Sequence, residues 1–437
     1  MTTEIWIVGF MAAGIFGGAC GSSNGGGEGG GGHPMAGAAG TAGAGGSAAG
    51  SGGSSCSGGA SSGMITGRST VGASTYHSCA VLAGGSVRCW GYNYDGELGD
   101  GTGTNSLVPV AVAGLSDAIT VSVSAYHACA LRAGGEVACW GANGSGELGS
   151  GSTTTYSLVP AAVSGLTDAT AISGGTSFGS THTCAVRIDG TVQCWGLNAS
   201  GELGNGSTTD ATAMFSLVPV AVSGLTGATA IATGSAHTCA LAGDGAIWCW
   251  GGNSNGQLGN GSTTGSRVPV PVSSPCGATA ISAGGSHACA LLKDGTVWCW
   301  GYDGYSDVSG SDTFPPVAVG GLAGVTAIAA GINHNCALLA GGTVACWGHN
   351  RDGQLGNGSN SDSFVPVAVN GLTGVTEVSA GGDFGRWGGS DMERIHGASC
   401  AKLATGAVEC WGYNWYGALG SGSMTSSSVP VPVVALP

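Results

Sequence analysis

Hydrophobic and polar residues alternate in a unit that recurs along residues 64–437. The unit reads His-x-Cys-Ala-Leu/Val, then Gly-x-Val/Ile-x-Cys-Trp-Gly, and in all but one copy Asn-x-x-Gly-x-Leu-Gly-x-Gly. Alternation with a period of two is typical of half-buried β-strands. The second unit predicts four such strands, at Val108–Val112, Ala118–Val123, His127–Leu131 and Glu136–Trp140.

The last two strands of each unit form a predicted hairpin. A glycine follows six positions after the first cysteine of every unit, as Gly85 follows Cys79. A three-residue loop that ends in the left-handed conformation requires glycine at that place. Such a loop centres the register on Gly84, so Cys79 lies directly opposite Cys89.

The number of units decides the predicted fold. The first cysteines are about fifty residues apart, at Cys79, Cys129, Cys184, Cys239, Cys289, Cys336 and Cys400,. Seven four-stranded units of about fifty residues predict an all-β, seven-bladed β-propeller. The first unit lacks a Val-Pro-Val strand at its start, whereas the chain ends with a spare one, Val429–Val433. We expect this C-terminal strand to join the first blade and close the ring.

The loop after the hairpin carries a family resemblance. The sequence Trp-Gly-x-Asn-x-x-Gly-Gln/Glu-Leu-Gly-x-Gly, followed by Val-Pro-Val, resembles the regulator of chromosome condensation repeat, and the segment 347–356 matches it closely. The resemblance extends over residues 64–437 and implies a seven-bladed propeller. Two units depart from the pattern: the fifth loses the glycine-leucine signature, and the seventh has no histidine two positions before Cys400.

Composition narrows the function classes. Glycine supplies 90 of 437 residues, which disfavours helices, and hydrophobic residues make up 42%, which suffices for a large core,. The 10 Lys+Arg residues against 24 Asp+Glu give a net charge of −14. Because nucleic-acid binding requires a basic surface that displaces counterions, we expect no nucleic-acid partner.

The first 63 residues predict export and a linker. Ile5–Ala19 is apolar, too short to span a bilayer comfortably, and resembles the core of a secretory signal,. The sequence that ends in Cys20 resembles a bacterial lipoprotein box. Residues 1–20 are therefore predicted to be an export signal in which Cys20 is either lipidated or unmodified. Residues 21–63 are almost only Gly, Ser and Ala, which predicts a disordered linker before the propeller at 64–437,. We expect a monomer in the cell envelope or outside the cell, lipid-anchored if Cys20 is acylated.

Fourteen of the 17 cysteines occupy opposed positions in the seven hairpins, where a disulfide fits and an oxidising compartment favours it,. The predicted disulfides are Cys79–Cys89, Cys129–Cys139, Cys184–Cys194, Cys239–Cys249, Cys289–Cys299, Cys336–Cys346 and Cys400–Cys410. Zinc is the alternative, but zinc sites space cysteines by two to four residues and need a fourth ligand, which the sequence does not offer. Cys20, Cys56 and Cys276 remain, and the spacing does not say whether Cys56 pairs with Cys276.

The sequence offers no catalytic, metal or cofactor site. Six histidines recur once per unit, which favours internal hydrogen bonding over catalysis: His77, His127, His182, His237, His287 and His334. No nucleophile elbow, phosphate loop or metalloprotease helix is present. The Asp-rich stretch 303–312 lacks the spacing of a calcium loop,.

An insertion in the seventh unit is the predicted partner site. It spans Asp383–His396 and contains aromatic and arginine residues of the kind that anchor protein interfaces: Phe384, Arg386, Trp387, Met392 and Arg394,. A smaller insertion, Thr176–Ser180, occupies the same turn of the third unit, so both should emerge on one face. The alternative to a partner site is a loop that only covers the region where the ring closes.

These observations predict a non-enzymatic, exported propeller that binds a protein partner through loops on one face, as a scaffold at the cell surface. A second hypothesis, by analogy with the namesake of the family, is a guanine-nucleotide exchange factor for a small GTPase. A third is a hydrolase or lyase that acts in the central channel.

Overall fold

The computed structural model describes residues 69–176, 181–207, 214–302, 313–384 and 395–436. Within these ranges the chain forms 28 β-strands and no helix, and hence no helix that could cross a membrane. The predicted signal, the linker, Cys20 and Cys56 lie outside the described residues.

The strands form seven antiparallel sheets, each of four consecutive strands, and these are the blades of a propeller. The first two blades are β1 (Val71–Ala73), β2 (His77–Val81), β3 (Val87–Gly91), β4 (Ser106–Ala111), and β5 (Ala118–Val123), β6 (His127–Arg132), β7 (Val137–Ala142), β8 (Tyr156–Ala162). The third and fourth are β9 (Ala169–Gly174), β10 (His182–Arg187), β11 (Val192–Leu197), β12 (Phe215–Ala221), and β13 (Ala228–Thr233), β14 (His237–Ala242), β15 (Ile247–Gly251), β16 (Ser266–Pro271).

The remaining blades follow the same order. The fifth and sixth are β17 (Ala278–Ala283), β18 (Ser286–Leu292), β19 (Val297–Tyr302), β20 (Thr313–Ala318), and β21 (Val325–Ala330), β22 (His334–Leu339), β23 (Val344–Gly348), β24 (Ser363–Ala368). The seventh is β25 (Val375–Phe384), β26 (Ile395–Leu403), β27 (Val408–Gly412) and β28 (Ser427–Pro432). The predicted seven-bladed, all-β propeller is confirmed.

The first strand of each blade faces a central channel. Residues of these inner strands line a cavity of about 870 Å³, and every blade contributes, among them through Val71, Val121, Ile172, Ile231, Ile281, Ile328 and Val378. The fourth strand, which carries Val-Pro-Val, is the outer edge of its blade.

The predicted ring closure is wrong. β28 does not join the first blade but pairs with β27 of its own blade, with Cys410 opposite Val431. The Val-Pro-Val strand is therefore the last strand of a blade rather than the first strand of the next. The physical reason lies in the loop between the third and fourth strands, because that loop folds back and returns the chain to the hairpin it has just left.

The asparagine of the repeat motif holds that loop. In the first blade Asn93 Oδ1 accepts the Leu98 N–H at 2.8 Å, and Asn93 Nδ2 donates to the carbonyl oxygens of Thr102 and Thr104 at 3.0 Å. Equivalent asparagines accept the leucine N–H in other blades: Asn143, Asn198, Asn253, Asn350 and Asn414. One side chain thus binds both halves of the loop.

In the described residues, a tryptophan from the hairpin of six blades ties its blade to the loop of the preceding blade. Trp140 Nε1 donates to the Glu97 carbonyl oxygen at 2.9 Å, and the indole lies against Gly99, where a Cβ atom would come within 2.8 Å of the ring. Trp90 Nε1 makes the same bond to the Ala418 carbonyl oxygen at 2.9 Å, across the junction of the seventh and first blades. The ring therefore closes with the contact that it uses elsewhere.

The hairpins have the predicted geometry. Leu82 and Ser86 flank a three-residue loop, and its last residue, Gly85, has a φ of +83°. Seven disulfides join the fourteen hairpin cysteines, each across directly opposed residues with a Cα–Cα distance of 4.0 or 4.1 Å. Cys276 is disulfide-bonded as well.

The repeated histidines are buried between blades. His182 Nε2 lies 2.7 Å from Thr238 Oγ1 of the next blade, and Thr238 Oγ1 also donates to the Glu202 carbonyl oxygen at 3.0 Å. In the next blade Ala288 occupies the sequence position equivalent to Thr238, and neither ring nitrogen of His237 has a side-chain hydrogen-bond partner. Burial lowers the pKa of His182 and of His237 to about 3, so both rings are neutral at physiological pH,.

This difference between neighbouring blades predicts the effect of two substitutions. Ala288→Thr would place a hydroxyl between His237 and the Gln257 carbonyl oxygen, and we expect it to stabilise the fold by about 1 kcal/mol. Thr238→Ala would leave His182 Nε2 unpaired and should destabilise it by about 1–3 kcal/mol. Thermal unfolding under non-reducing conditions measures both. Loss of stability in both Ala288→Thr and the smaller Ala288→Ser would contradict this account.

Candidate interaction surface

The two ends of the propeller differ in their connections. The loop face, as we name it, carries the links between the first and second and between the third and fourth strands of each blade. The opposite turn face carries the tight hairpin turns and the short links to the next blade.

The seventh blade has a longer inner hairpin than the others. β25 has ten residues and β26 has nine, and their pairing continues to Phe384 opposite Ile395. The predicted partner site therefore begins at the tip of a paired hairpin on the loop face. Its other predicted residues, Arg386, Trp387, Met392 and Arg394, lie outside the described residues.

The base of this hairpin is fixed on both sides. His396 Nδ1 lies 2.8 Å from Asp352 Oδ2 of the sixth blade, and the His396 ring stacks on Tyr413 with 4.1 Å between ring centroids. Thr75 Oγ1 of the first blade donates to the His396 carbonyl oxygen at 3.3 Å. Nearby, Gln354 Nε2 is 2.9 Å from the Nδ1 atom of His349, whose pKa is lowered by burial.

Beside the hairpin, four tyrosines from three blades pack together on the loop face. We call Tyr76, Tyr92, Tyr126 and Tyr416 the tyrosine cluster; the ring centroids in contact are 4.9–6.4 Å apart. Trp415 stacks beside Tyr416 at 6.4 Å, with 17° between the ring planes. Such pairs favour tilted and offset arrangements, which stabilise the cluster beyond simple burial.

Two aromatic side chains on the loops that form the cluster are largely exposed. Trp415 is 62% exposed and Tyr94 is 74% exposed. Large apolar residues are usually buried, and exposed aromatic side chains are frequent anchors of protein interfaces. The seventh, first and second blades therefore present an aromatic surface next to the long hairpin.

A buried carboxyl group lies in the loop that carries Tyr92. Glu97 is 0% exposed; its Oε2 accepts the Asp95 N–H at 3.0 Å, whereas its Oε1 has no hydrogen-bond partner. Burial raises the pKa of Glu97 to about 8, and it also raises the pKa of Asp95,. The pKa of Tyr92 is raised by burial and, further, by Glu97, Asp95 and Tyr416.

Reasoning from the sequence missed the tyrosine cluster, although the aligned units contain its signal. The residue before the conserved histidine is tyrosine only in the first two units, at Tyr76 and Tyr126. Tyr92 follows the Trp-Gly pair of the first unit, and Tyr416 lies in the loop of the last. These positions vary from unit to unit, and only the circular order of the blades brings them together.

The polar residues of the inner strands are relevant to the hypothesis of a hydrolase or lyase that acts in the central channel. Its inner-strand serines accept backbone N–H groups of the next blade, as Ser379 Oγ does from Ala73 at 3.0 Å. Glu377 accepts the Thr70 N–H and the Thr70 hydroxyl, both at 2.7 Å, and lies 3.9 Å from Lys402. Among the described residues, no three His, Cys, Asp or Glu side chains are grouped to hold a metal ion.

Comparison with known families agrees with the motif. The model of the regulator of chromosome condensation (RCC1) repeat matches residues 84–131, 134–186, 189–241, 244–291 and 341–385. The chain belongs to the RCC1 repeat family. A second model of the same repeat matches 69–97, 118–147, 228–257, 278–306 and 325–354.

Individual proteins resemble this chain over only part of their length. The ultraviolet-B receptor UVR8 of Arabidopsis thaliana is 29% identical over 193 residues, which are 43% of this chain and 42% of UVR8. The human E3 ubiquitin-protein ligase HERC2 is 35% identical over 85 residues, which are 18% of this chain and 2% of HERC2. The chain thus spans less than half the length of these RCC1-repeat relatives.

Solved structures share the fold at low identity. Human WBSCR16 superposes with a TM-score of 0.68 and 21% identity, over 80% of this chain and 94% of that one. Prp20p of Saccharomyces cerevisiae superposes with a TM-score of 0.66 and 20% identity, over 80% and 86%. At these identities the likeness shows the RCC1-type fold alone.

The buried carboxyl group predicts a pH effect on stability. Because the folded pKa of Glu97 lies above its ordinary value, the native state binds an extra proton between about pH 4.5 and pH 8, and stability falls as the pH rises through that range,. Gln257 shows that glutamine fits this position, since its Oε1 accepts the Asn255 N–H at 2.9 Å. We expect Glu97→Gln to gain stability over the parent by roughly 1–3 kcal/mol between pH 5 and pH 9.

The measurement is thermal or denaturant unfolding across that pH range. Glu136→Gln, on an exposed turn, is the matched control and should follow the parent. A stability difference between Glu97→Gln and the parent that does not change with pH would contradict the assignment.

Proposed function

We propose that this protein is an exported, non-enzymatic scaffold of the cell envelope that binds a protein partner through the loop face of its propeller. The observation that carries the proposal is the aromatic surface of the seventh, first and second blades. Trp415 and Tyr94 are exposed there, beside the hairpin that leads into Phe384, Arg386, Trp387, Met392 and Arg394. Aromatic and arginine side chains provide most hot spots of protein interfaces.

Export is the second part of the proposal. Seven disulfides within one chain are stable in an oxidising compartment and are rare in the cytosol, and the apolar segment Ile5–Ala19 resembles a secretory signal,. A lipid on Cys20 would attach the propeller to a membrane through the glycine-rich linker. These points favour a partner in the envelope or outside the cell.

The family supports protein binding as the class of activity. Prp20p is described by its binding properties to Gsp1p and histones. An exchange factor for a small GTPase is the alternative by analogy, but such GTPases are intracellular, and the seven disulfides favour another compartment. We therefore propose partner binding without nucleotide exchange.

The loop-face proposal predicts which substitutions weaken partner binding. Replacement of Trp415 and Tyr94 by alanine together should lower the affinity for the partner by at least about tenfold, because interface aromatics contribute about 2 kcal/mol or more each when they are hot spots. Ile188→Ala, which removes a largely exposed apolar side chain from the turn face of the third blade, is the control and should bind normally. The partner is first captured with the parent propeller from envelope extract, and its affinity is then measured for each variant.

A further variant that lacks residues 385–394 separates the contribution of the seventh-unit insertion from that of the aromatic surface. Unchanged affinity in both the double substitution and the deletion, with unfolding temperatures equal to the parent, would overturn the loop-face proposal.

The export proposal predicts the location and the thiol state of the chain. The protein should occur in the envelope or extracellular fraction, with hairpin cysteines that do not react with an alkylating reagent until a reductant is added. Fractionation followed by alkylation and mass spectrometry measures both. A cytosolic chain with reactive hairpin thiols would contradict the proposal and would favour the exchange-factor alternative.

A further inference from the structure

We propose that the tyrosine cluster and its acidic floor form a docking site for an arginine side chain on a basic segment of the partner. The inference rests on the proposed function and deepens it, since it names the chemistry that the partner must present. Three features of this surface support an arginine ligand: its charge, its shape and one unpaired carboxyl oxygen.

The surface is acidic and lacks a compensating cation. Asp95 and Glu97 form no ion pair in the part of the chain that the structure describes. Two acidic groups at the turn face have such a partner: Asp117 pairs with Arg132 and Asp168 with Arg187, both at 2.8 Å. With 10 Lys+Arg against 24 Asp+Glu, the protein as a whole attracts basic partners,.

The aromatic side chains suit a flat cation. Trp415 is 62% exposed and nearly parallel to Tyr416, so a planar group can lie on an open indole face. A guanidinium group is planar, is weakly hydrated and stacks on aromatic rings, whereas a lysine ammonium is a strongly hydrated point charge. Asp95, only partly buried in the same loop as Tyr92, can accept the N–H groups at the edge of the guanidinium,. These features favour arginine.

The unpaired carboxyl oxygen of Glu97 supports the site independently of the surface charge and the exposed aromatic rings. In the second blade the equivalent Glu147 Oε1 accepts the Thr181 N–H at 3.4 Å, but Glu97 Oε1 has no partner. A buried carboxyl oxygen without a donor is costly, because burial removes the water that would otherwise solvate it. A cation above the cluster compensates this cost through its field and favours the ionised form of Glu97. The unpaired carboxyl oxygen therefore favours a cation bound close to the loop that carries Glu97 and Tyr92.

The experiment measures the binding of short peptides of defined charge to the full-length protein. The probe is a heptapeptide, acetyl-Gly-Ser-Gly-Arg-Gly-Ser-Gly-amide, with a citrulline counterpart that keeps the shape of arginine without its charge. Binding is measured by ligand-observed NMR at pH 8.5, where Glu97 is mainly ionised, and at physiological ionic strength. We expect saturable binding of the arginine peptide in the millimolar range and binding of the citrulline peptide at least about tenfold weaker.

Substitutions test each part of the site. Trp415→Leu should weaken arginine-peptide binding about fivefold or more, and Trp415→Phe should restore most of it, because the ring rather than its bulk is required. Asp95→Asn and Glu97→Gln should each weaken binding of the arginine peptide without changing that of the citrulline peptide. Asp244→Asn, on an exposed turn of the turn face, removes the same charge elsewhere and should bind like the parent. Unfolding temperatures establish that every variant is folded.

The outcomes separate this inference from the proposed function. Equal binding of the arginine and citrulline peptides, no binding of either, or an equal loss in Asp244→Asn would overturn the arginine site. If the partner itself still depends on Trp415 and Tyr94 in that case, the loop-face proposal stands and the arginine site falls. If the arginine peptide binds as expected but the partner is unaffected by both substitutions and by the deletion of residues 385–394, the arginine site on the propeller stands and the loop-face proposal falls.

Discussion

The hydrogen bond from a tryptophan indole to a backbone carbonyl oxygen of the preceding blade is the contact on which the ring depends. The indole belongs to the third strand of one blade, and its acceptor belongs to the loop that the asparagine holds in the blade before it. A change in the loop therefore shifts the acceptor, and a change in the tryptophan detaches a blade. Because the acceptor is a main-chain atom, the side chain at that position is free to differ, and Ala418 serves as well as Glu97.

This freedom explains why the same fold carries an uneven loop face. The positions that build the ring repeat in nearly every unit, whereas the positions before the buried histidine and after the Trp-Gly pair differ between units. The position before the histidine is tyrosine in the first two units, at Tyr76 and Tyr126, and a smaller residue in later units, as at Thr181, Ala236 and Ser286. A specialised surface arises without any change in the contacts that hold the blades together.

The features that the sequence predicted correctly are local. The hairpin register follows from Gly85 and from ten residues of separation between paired cysteines, and nothing distant in the chain can alter it. The blade count follows from repetition. The pairing of the C-terminal strand was predicted wrongly. The sequence Val429–Val433 is compatible with pairing to the preceding hairpin and with pairing to the first blade, and the fold of the intervening loop decides between the two. The tyrosine cluster escaped prediction because Tyr76 and Tyr416 are neighbours only once the ring is closed.

The seven disulfides also bear on how the chain reaches its native state. Each joins cysteines that are ten residues apart, and none of the seven crosses from one blade to another. As the chain emerges from a ribosome or a translocon, each pair is complete before the next one arrives. Among these fourteen cysteines the correct partner is therefore also the nearest one in time, so oxidation in order of emergence favours the native hairpin bridges over interleaved pairings.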